Sequence, residues 1–338
     1  MGLLYDLKNE YKAISIVGMA KNAGKTTALN YLIEEAMDEG VILGVTSTGR
    51  DGESTDLVTG TDKPRVFLDE GTIVSVPTQL YELADAGLEI IKMTDFRSSI
   101  GQIMLCRVVA SGYVQIAGPV ASSDTKKLTE EMLKLGAEIV IIDGAIDRKS
   151  VASPDISDAI IMSTGAVLSR SMKRVVNETA HVVGLFNLPK LEDEYLTKTI
   201  EEFRGEERIL VMGSESVDVL NLKTGLNGSR TINDSIKEDT KYIYIPGAFT
   251  KSVIADLLPS KMKQVTFIVK DPTKIFIDSV SFPQLLKKGL KVVVLENIKV
   301  AAITVNPSAP SGYCFDHKEL VEQMQEKTPN IPVIDVRL

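Results

Sequence analysis

Short apolar runs rich in β-branched residues alternate, through most of this chain, with segments whose apolar positions repeat at helical spacing. The runs Ala13–Val17, Val41–Val45, Gln102–Val109, Tyr113–Ile116, Glu138–Ile142 and Ala159–Met162 read as strands. Between Lys25 and Glu39, the apolar residues Leu29, Leu32, Ile33, Ala36 and Met37 fall at i, i+3, i+4, i+7 and i+8. Glu34, Glu35 and Asp38 take the other face, and Gly40 is placed to stop the helix. Leu128, Met132 and Leu135 repeat the pattern over Thr125–Leu135, behind Ser123 or Asp124 as a cap. This alternation predicts an α/β fold with a mostly parallel sheet.

The pattern breaks twice. Thr46–Pro64 is crowded with Gly, Ser, Thr and Asp and has no apolar period; loops of that length are usually functional. From Ser214 to Thr240 the chain is again polar and glycine-bearing. Strand-like runs then resume at Tyr242–Ile245, Val265–Val269, Lys291–Leu295, Val300–Val305 and Pro332–Val336, with helices expected near Lys251–Leu258, Phe282–Lys288 and His317–Lys327. The expected division is therefore a first domain at 1–213, a linker at 214–240 and a second, smaller α/β domain at 241–338.

One strand-to-helix junction carries chemistry. Gly18-Met19-Ala20-Lys21-Asn22-Ala23-Gly24-Lys25-Thr26-Thr27 joins the first strand to the Lys25–Glu39 helix. Amides at a helix N-terminus have no partner inside the helix and point into a concavity that favours an anion. The junction thus reads as a phosphate-binding loop: Gly24 for close backbone approach, Lys25 for the β- and γ-phosphates, Thr26 for Mg²⁺. The strict pattern puts glycine where Met19 stands, and Gly18 sits one residue early. A partner carboxylate is expected at the end of a buried strand, and Glu138-Ile139-Val140-Ile141-Ile142-Asp143-Gly144 supplies Asp143 in the Walker B form. Asp143 either binds the metal, orients water or simply begins a turn.

Arg50, Asp51 and Glu53 follow the second strand, and ligands in open α/β sheets bind beyond the carboxyl ends of strands. All three are candidates for γ-phosphate sensing, metal contact or base duty, with Asp51 or Glu53 to align water; solvated loop charges with no role are an equal reading. Asp147 and Arg148 stand near Asp143, and Ser163–Gly165 follows another strand on the same logic. His181 and His317 offer no nucleophile elbow, and Cys314 with His317 lacks two further metal ligands. Asn187-Leu188-Pro189-Lys190 does not make the guanine-reading N-K-x-D, which favours ATP with GTP still open.

Composition limits the partners. The chain has 338 residues, 44% apolar and 25% charged, with a net charge of −8, so no overall positive field draws nucleic acid or an anionic membrane. Two cysteines, no membrane-length apolar run and a charged Met1–Tyr11 make the cytoplasm the expected compartment.

The loop Gly18–Thr27 resembles the K-N-x-G-K-T-T form of the SIMIBI class of P-loop NTPases, which includes the molybdopterin-guanine-dinucleotide adapter proteins and the dethiobiotin synthetase group. A deviant Walker A carries its signature lysine five residues before the P-loop lysine; Lys21 stands four before Lys25. With an α/β C-terminal region at this length, the loop also looks like that of the small-subunit family of the lysine 5,6-aminomutase reactivases. That resemblance implies ATP hydrolysis driving a conformational cycle, with a MutS-like second subunit and a B12-dependent aminomutase as partners. A homodimer stays open. Two other classes use the same parts: an ATP-dependent ligase or kinase acting on a small molecule, and a GTP-binding adapter for cofactor biosynthesis.

Overall fold

The computed structural model describes residues 2–48, 65–144, 156–203, 208–214, 216–222 and 228–336. The chain divides into two units, Met1–Thr179 with Lys299–Leu338, and Ala180–Ile298. The first begins with α1 (Leu3–Glu10), β1 (Ala13–Gly18), α2 (Lys25–Glu39) and β2 (Leu43–Ser47). It continues through β3 (Val66–Leu68), β4 (Ile73–Pro77), β5 (Gly87–Ser98), β6 (Gly101–Ala110) and β7 (Gly112–Val114). Next come α3 (Ser122–Lys134), β8 (Ile139–Asp143) and β9 (Ala159–Gly165). The division falls within α4 (Met172–Phe186). The second unit holds α5 (Glu194–Glu202), β10 (Ile209–Met212), β11 (Val217–Leu220), α6 (Ser229–Ser235), β12 (Tyr242–Ile245) and β13 (Phe249–Thr250). It ends with α7 (Pro259–Gln264), β14 (Thr266–Val269), β15 (Ile275–Phe276), α8 (Ser281–Lys287) and β16 (Val292–Val294). The chain then returns to the first unit with β17 (Val300–Asn306), α9 (His317–Lys327) and β18 (Val333–Asp335).

A nine-stranded sheet runs in the order β18-β17-β9-β1-β8-β2-β4-β6-β5. From β18 to β4 every pairing is parallel; β6 and β5 extend the sheet antiparallel. Strand β8 explains the unbroken apolar run in the sequence. Its Ile139 and Ile141 join Ile14, Ile16, Leu29 and Leu32 in one cluster with α2, while Val140 and Ile142 join Leu128 and Met132 of α3 in another. Successive side chains leave opposite faces, so a strand covered on both is apolar throughout. Each such side chain, fully buried, stabilises the fold by roughly 1.5–3 kcal/mol. Helix α1 is tied to α2 through Glu35, whose carboxylate accepts from the Leu3 amide at 3.1 Å and the Leu4 amide at 2.6 Å.

The α/β class with a mostly parallel sheet is what the alternation indicates, but the expected boundaries need correction. Strand β17 pairs with β9 from Val300 opposite Ile160 to Asn306 opposite Gly165, and β18 pairs with β17. Residues 299–338 therefore belong to the first unit, not to a domain at 241–338. An apolar run fits beside any parallel strand, and its own sequence does not choose which. The expected linker at 214–240 holds β11, antiparallel to β10, and α6.

The second unit carries a five-stranded sheet, β11-β10-β12-β14-β16, packed through Leu191, Leu196, Ile200, Leu210, Met212 and Ile268. Helix α3 starts at Ser122 after Ala121, so neither Ser123 nor Asp124 is its cap; Asp124 lies in the first turn, where its charge suits the helix dipole. Over Lys251–Leu258 only a 3-10 turn forms, Lys251–Ile254, before Pro259 opens α7 in the position where a missing N–H costs nothing. Among the described residues no helix is long and apolar enough to cross a membrane.

Two predictions follow from this packing. Ile303 of β17 is fully buried, so Ile303→Ala is expected to remove about 2–5 kcal/mol, read as a lower urea midpoint for the first unit. An unchanged midpoint contradicts the return of the C-terminal segment. Cys106 on β6 is also fully buried, and burial pushes its thiol from 9.0 up to about 11. The folded state then keeps a proton that the unfolded chain releases, so stability is full below about pH 9 and falls as pH rises toward 11. Urea midpoints at pH 8 and pH 11 are expected to differ less in Cys106→Ala than in the parent.

Candidate functional site

Strand β1 lies inside the sheet between β8 and β9, and its carboxyl end opens into a turn of small residues. The Met19 amide donates to Ser163 O at 2.8 Å, which ties the turn to β9. Ala23 is buried and its amide donates to Ala20 O at 3.3 Å. Asn22 has φ 61° and Gly24 φ 102°, and Gly24 O then accepts the Ala28 amide at 2.9 Å to start α2. A left-handed conformation at Gly24 is open to glycine and strained for a side chain. Gly24 at the N-cap has no side chain with which to cap α2, and no acidic residue lies in that helix's first turn. Its opening amides therefore face the turn with no partner inside the helix.

Lys25 folds back over the turn. A β-carbon placed on Gly18 would stand 3.1 Å from Lys25 Cγ and 3.2 Å from Cδ, so the lysine stem occupies the space that the absence of a Gly18 side chain leaves. Gly18, Gly24, Lys25, Thr26 and Thr27 thus gather in one strand-to-helix junction with Lys21, Asn22 and Ala23. Asn22 is exposed and Lys21, Lys25, Thr26 and Thr27 are half-buried.

Asp143 ends β8 at the same edge of the sheet, in register with Ile16 of β1 and Ser47 of β2. Gly144 N–H donates to Ile16 O at 3.1 Å, and Thr48 N–H donates to Asp143 O at 3.0 Å. Asp143 Oδ1 is shielded from solvent. On the other side of β1, Ser163–Gly165 ends β9, and Asn306 ends β17. A β-carbon on Gly24 would stand 3.1 Å from Asn306 Cβ. Sequence reasoning passed over Asn306, because nothing in the local pattern connects residue 306 with residue 24. The one signal available was its position at the carboxyl end of an apolar run.

Arg50, Asp51, Glu53, Asp147 and Arg148 lie outside the described residues, as does most of the Thr46–Pro64 loop. The histidines belong elsewhere. His181 Nε2 bonds Ile277 O at 2.9 Å within the second unit, and His317 Nδ1 stands 3.6 Å from Asp335 Oδ2. Cys314 Sγ donates to Phe315 O at 3.3 Å. Among the described residues no group of three or more His, Cys, Asp and Glu side chains converges as a metal site would require.

Comparison with protein-family models, curated proteins and solved structures finds no match to this chain. The junction's backbone gives a direct test of its geometry. Gly24→Ala is expected to cost about 1–2 kcal/mol from the left-handed conformation alone, with further loss from crowding against Asn306. Thermal unfolding measures it, and an unshifted midpoint contradicts the turn conformation.

Proposed function

We propose that this protein is a Mg²⁺-dependent nucleoside triphosphatase, most simply an ATPase, whose cycle of binding and hydrolysis acts on a partner protein. The observation that supports this best is the junction at the end of β1: glycines at positions 18 and 24, a helix opening behind an N-cap glycine that has no side chain to cap it, Lys25 folded over the turn, and Asp143 on the adjacent strand. In this reading the amides and Lys25 hold the phosphate oxygens by charge-assisted hydrogen bonds. Thr26 and Asp143 are the residues that would hold Mg²⁺. A hydroxyl and a carboxylate are the hard oxygen donors this ion takes. Bound there, Mg²⁺ would neutralise charge on the transferring phosphoryl group. The remaining work of the chain is positioning.

The resemblance to the lysine 5,6-aminomutase reactivases supports a narrower proposal: an accessory factor that uses ATP, with a MutS-like subunit, to restore a B12-dependent aminomutase. Asp51 and Glu53 remain candidates for aligning water.

Lys25→Ala is expected to weaken Mg·ATP binding at least about 100-fold, about 2.8 kcal/mol, while the circular-dichroism spectrum stays that of the parent. Calorimetric titration reads the affinity, and undiminished binding refutes the site. Asp143→Asn is expected to keep nucleotide affinity within several-fold and lower turnover at least about tenfold, measured as phosphate release. Turnover stimulated by a small-molecule acceptor and not by the aminomutase complex would favour a kinase or ligase instead.

A further inference from the structure

A cavity of about 560 Å³ lies at the opposite edge of the large sheet, where β1 and β8 begin. Small-molecule sites span roughly 300–1,000 Å³. Helix α1 forms one wall with Tyr5, Lys8 and Asn9, while Leu133 of α3 and Ala137 form an apolar one. Lys12 precedes β1 and Glu138 precedes β8. The cavity is therefore a strand's length from Gly18 and Asp143, roughly 20 Å at about 3.3 Å per residue.

Three charged groups line it. Lys8 Nζ donates to Glu138 Oε2 at 3.2 Å and lies 5.5 Å from the centre of the Tyr5 ring. Glu138 Oε1 accepts the Ile42 amide at 3.1 Å, so both oxygens of that carboxylate are engaged. Its carboxyl is held below the usual carboxylate range, first by the Ile42 amide and then by Lys8 and Lys12. Lys12 acts on it only through space, because its ammonium makes no ion pair with a described residue. The backbone beneath that ammonium is fixed. Lys12 N–H donates to Asp158 Oδ2 at 2.8 Å, and Lys12 O accepts the Val140 amide at 2.8 Å. Asp158 itself does not line the cavity. On α1, Asn9 Nδ2 donates to Tyr5 O at 2.9 Å, and Tyr5 OH bonds to none of the described residues. Two ammonium groups against one carboxylate give the cavity a positive balance, on a chain whose net charge is −8.

We infer that this cavity binds a small organic monoanion, a carboxylate carried on an apolar body. Lys12 pairs with the carboxylate, and the remaining hydrogens of Lys8 and the Tyr5 hydroxyl supply further donors. Leu133, Ala137 and the Tyr5 ring cover the apolar part. A dianion such as a phosphate monoester suits the cavity less, since Glu138 keeps a negative charge in its wall. Neither the cavity nor its ligand depends on the nucleotide reading above.

The test titrates the parent protein, Lys12→Ala, Lys12→Gln and Lys25→Ala with phenylacetate and with its neutral counterpart phenylacetamide, followed by ligand-observed NMR. Thermal unfolding confirms that each variant folds, and the exposure of Lys12 makes its removal mild. The parent is expected to bind phenylacetate with Kd at or below about 1 mM and phenylacetamide at least about tenfold more weakly. Both Lys12 variants are expected to lose about tenfold for phenylacetate alone, and Lys25→Ala to change it less than about twofold. Absence of phenylacetate binding up to about 10 mM overturns the inference. So does equal affinity for the two probes, or unchanged affinity in the Lys12 variants. A loss in Lys25→Ala in place of the Lys12 variants assigns the anion to the phosphate turn, which overturns this inference and leaves the nucleotide reading standing.

Discussion

A backbone that is to surround an anion with its own amides must keep side chains out of the space it encloses, and the ten residues from Gly18 to Thr27 meet that constraint at both ends. Positive φ at Asn22 and Gly24 swings the chain from strand into helix within a few residues. Glycine at position 18 leaves room for the Lys25 stem, which lies across the turn. Glycine at the N-cap of α2 belongs to the same design. A serine or aspartate cap would stabilise the helix by about 1 kcal/mol, and it would also occupy the amides that an anion would use.

The sheet supplies the rigidity this turn needs. Strand β1 is hydrogen-bonded on both sides and covered on both faces, with Ile14 and Ile16 fully buried. A strand so confined holds its carboxyl end in place, and the parallel neighbours bring their own carboxyl ends to the same edge. Asp143, Ser163 and Asn306, which are distant in the chain, thereby become neighbours of the turn on its two sides. The buried hydroxyl pairs Ser163–Thr304 and Thr164–Thr179, each 2.8 Å apart, satisfy polar groups in the strands and the helix on that flank.

Parts of this were legible in the sequence because they depend on neighbours a few residues away. The helix over Lys25–Glu39 follows from its apolar spacing and stops at Gly40, which takes the left-handed conformation. The His317–Lys327 helix is found as read, capped by Asp316. Other parts were not. Strand β4 is buried throughout, but its Ile73–Pro77 run is short and follows a long polar stretch, and β5 is mostly exposed, with only Thr94 and Ser98 buried, so it shows no apolar run. Val217–Leu220, an edge strand of the second unit, was concealed for another reason: the run is only four residues long, carries Asp218 and is set in a polar stretch.

Local sequence by itself determined helices such as Lys25–Glu39 and His317–Lys327 and the turn between β1 and α2, since backbone φ preferences, helical periodicity and the glycines at 18 and 24 act over distances of a few residues. It also determined the alternation that makes the sheet mostly parallel. What only the tertiary structure decided was adjacency: that residues 299–338 rejoin the first unit after the second has been completed, and that Asn306 stands against Gly24. Apolar strands carry no address for their partners, so strand order is fixed by the packing of the whole sheet, and the side chains that meet at its edge are fixed with it.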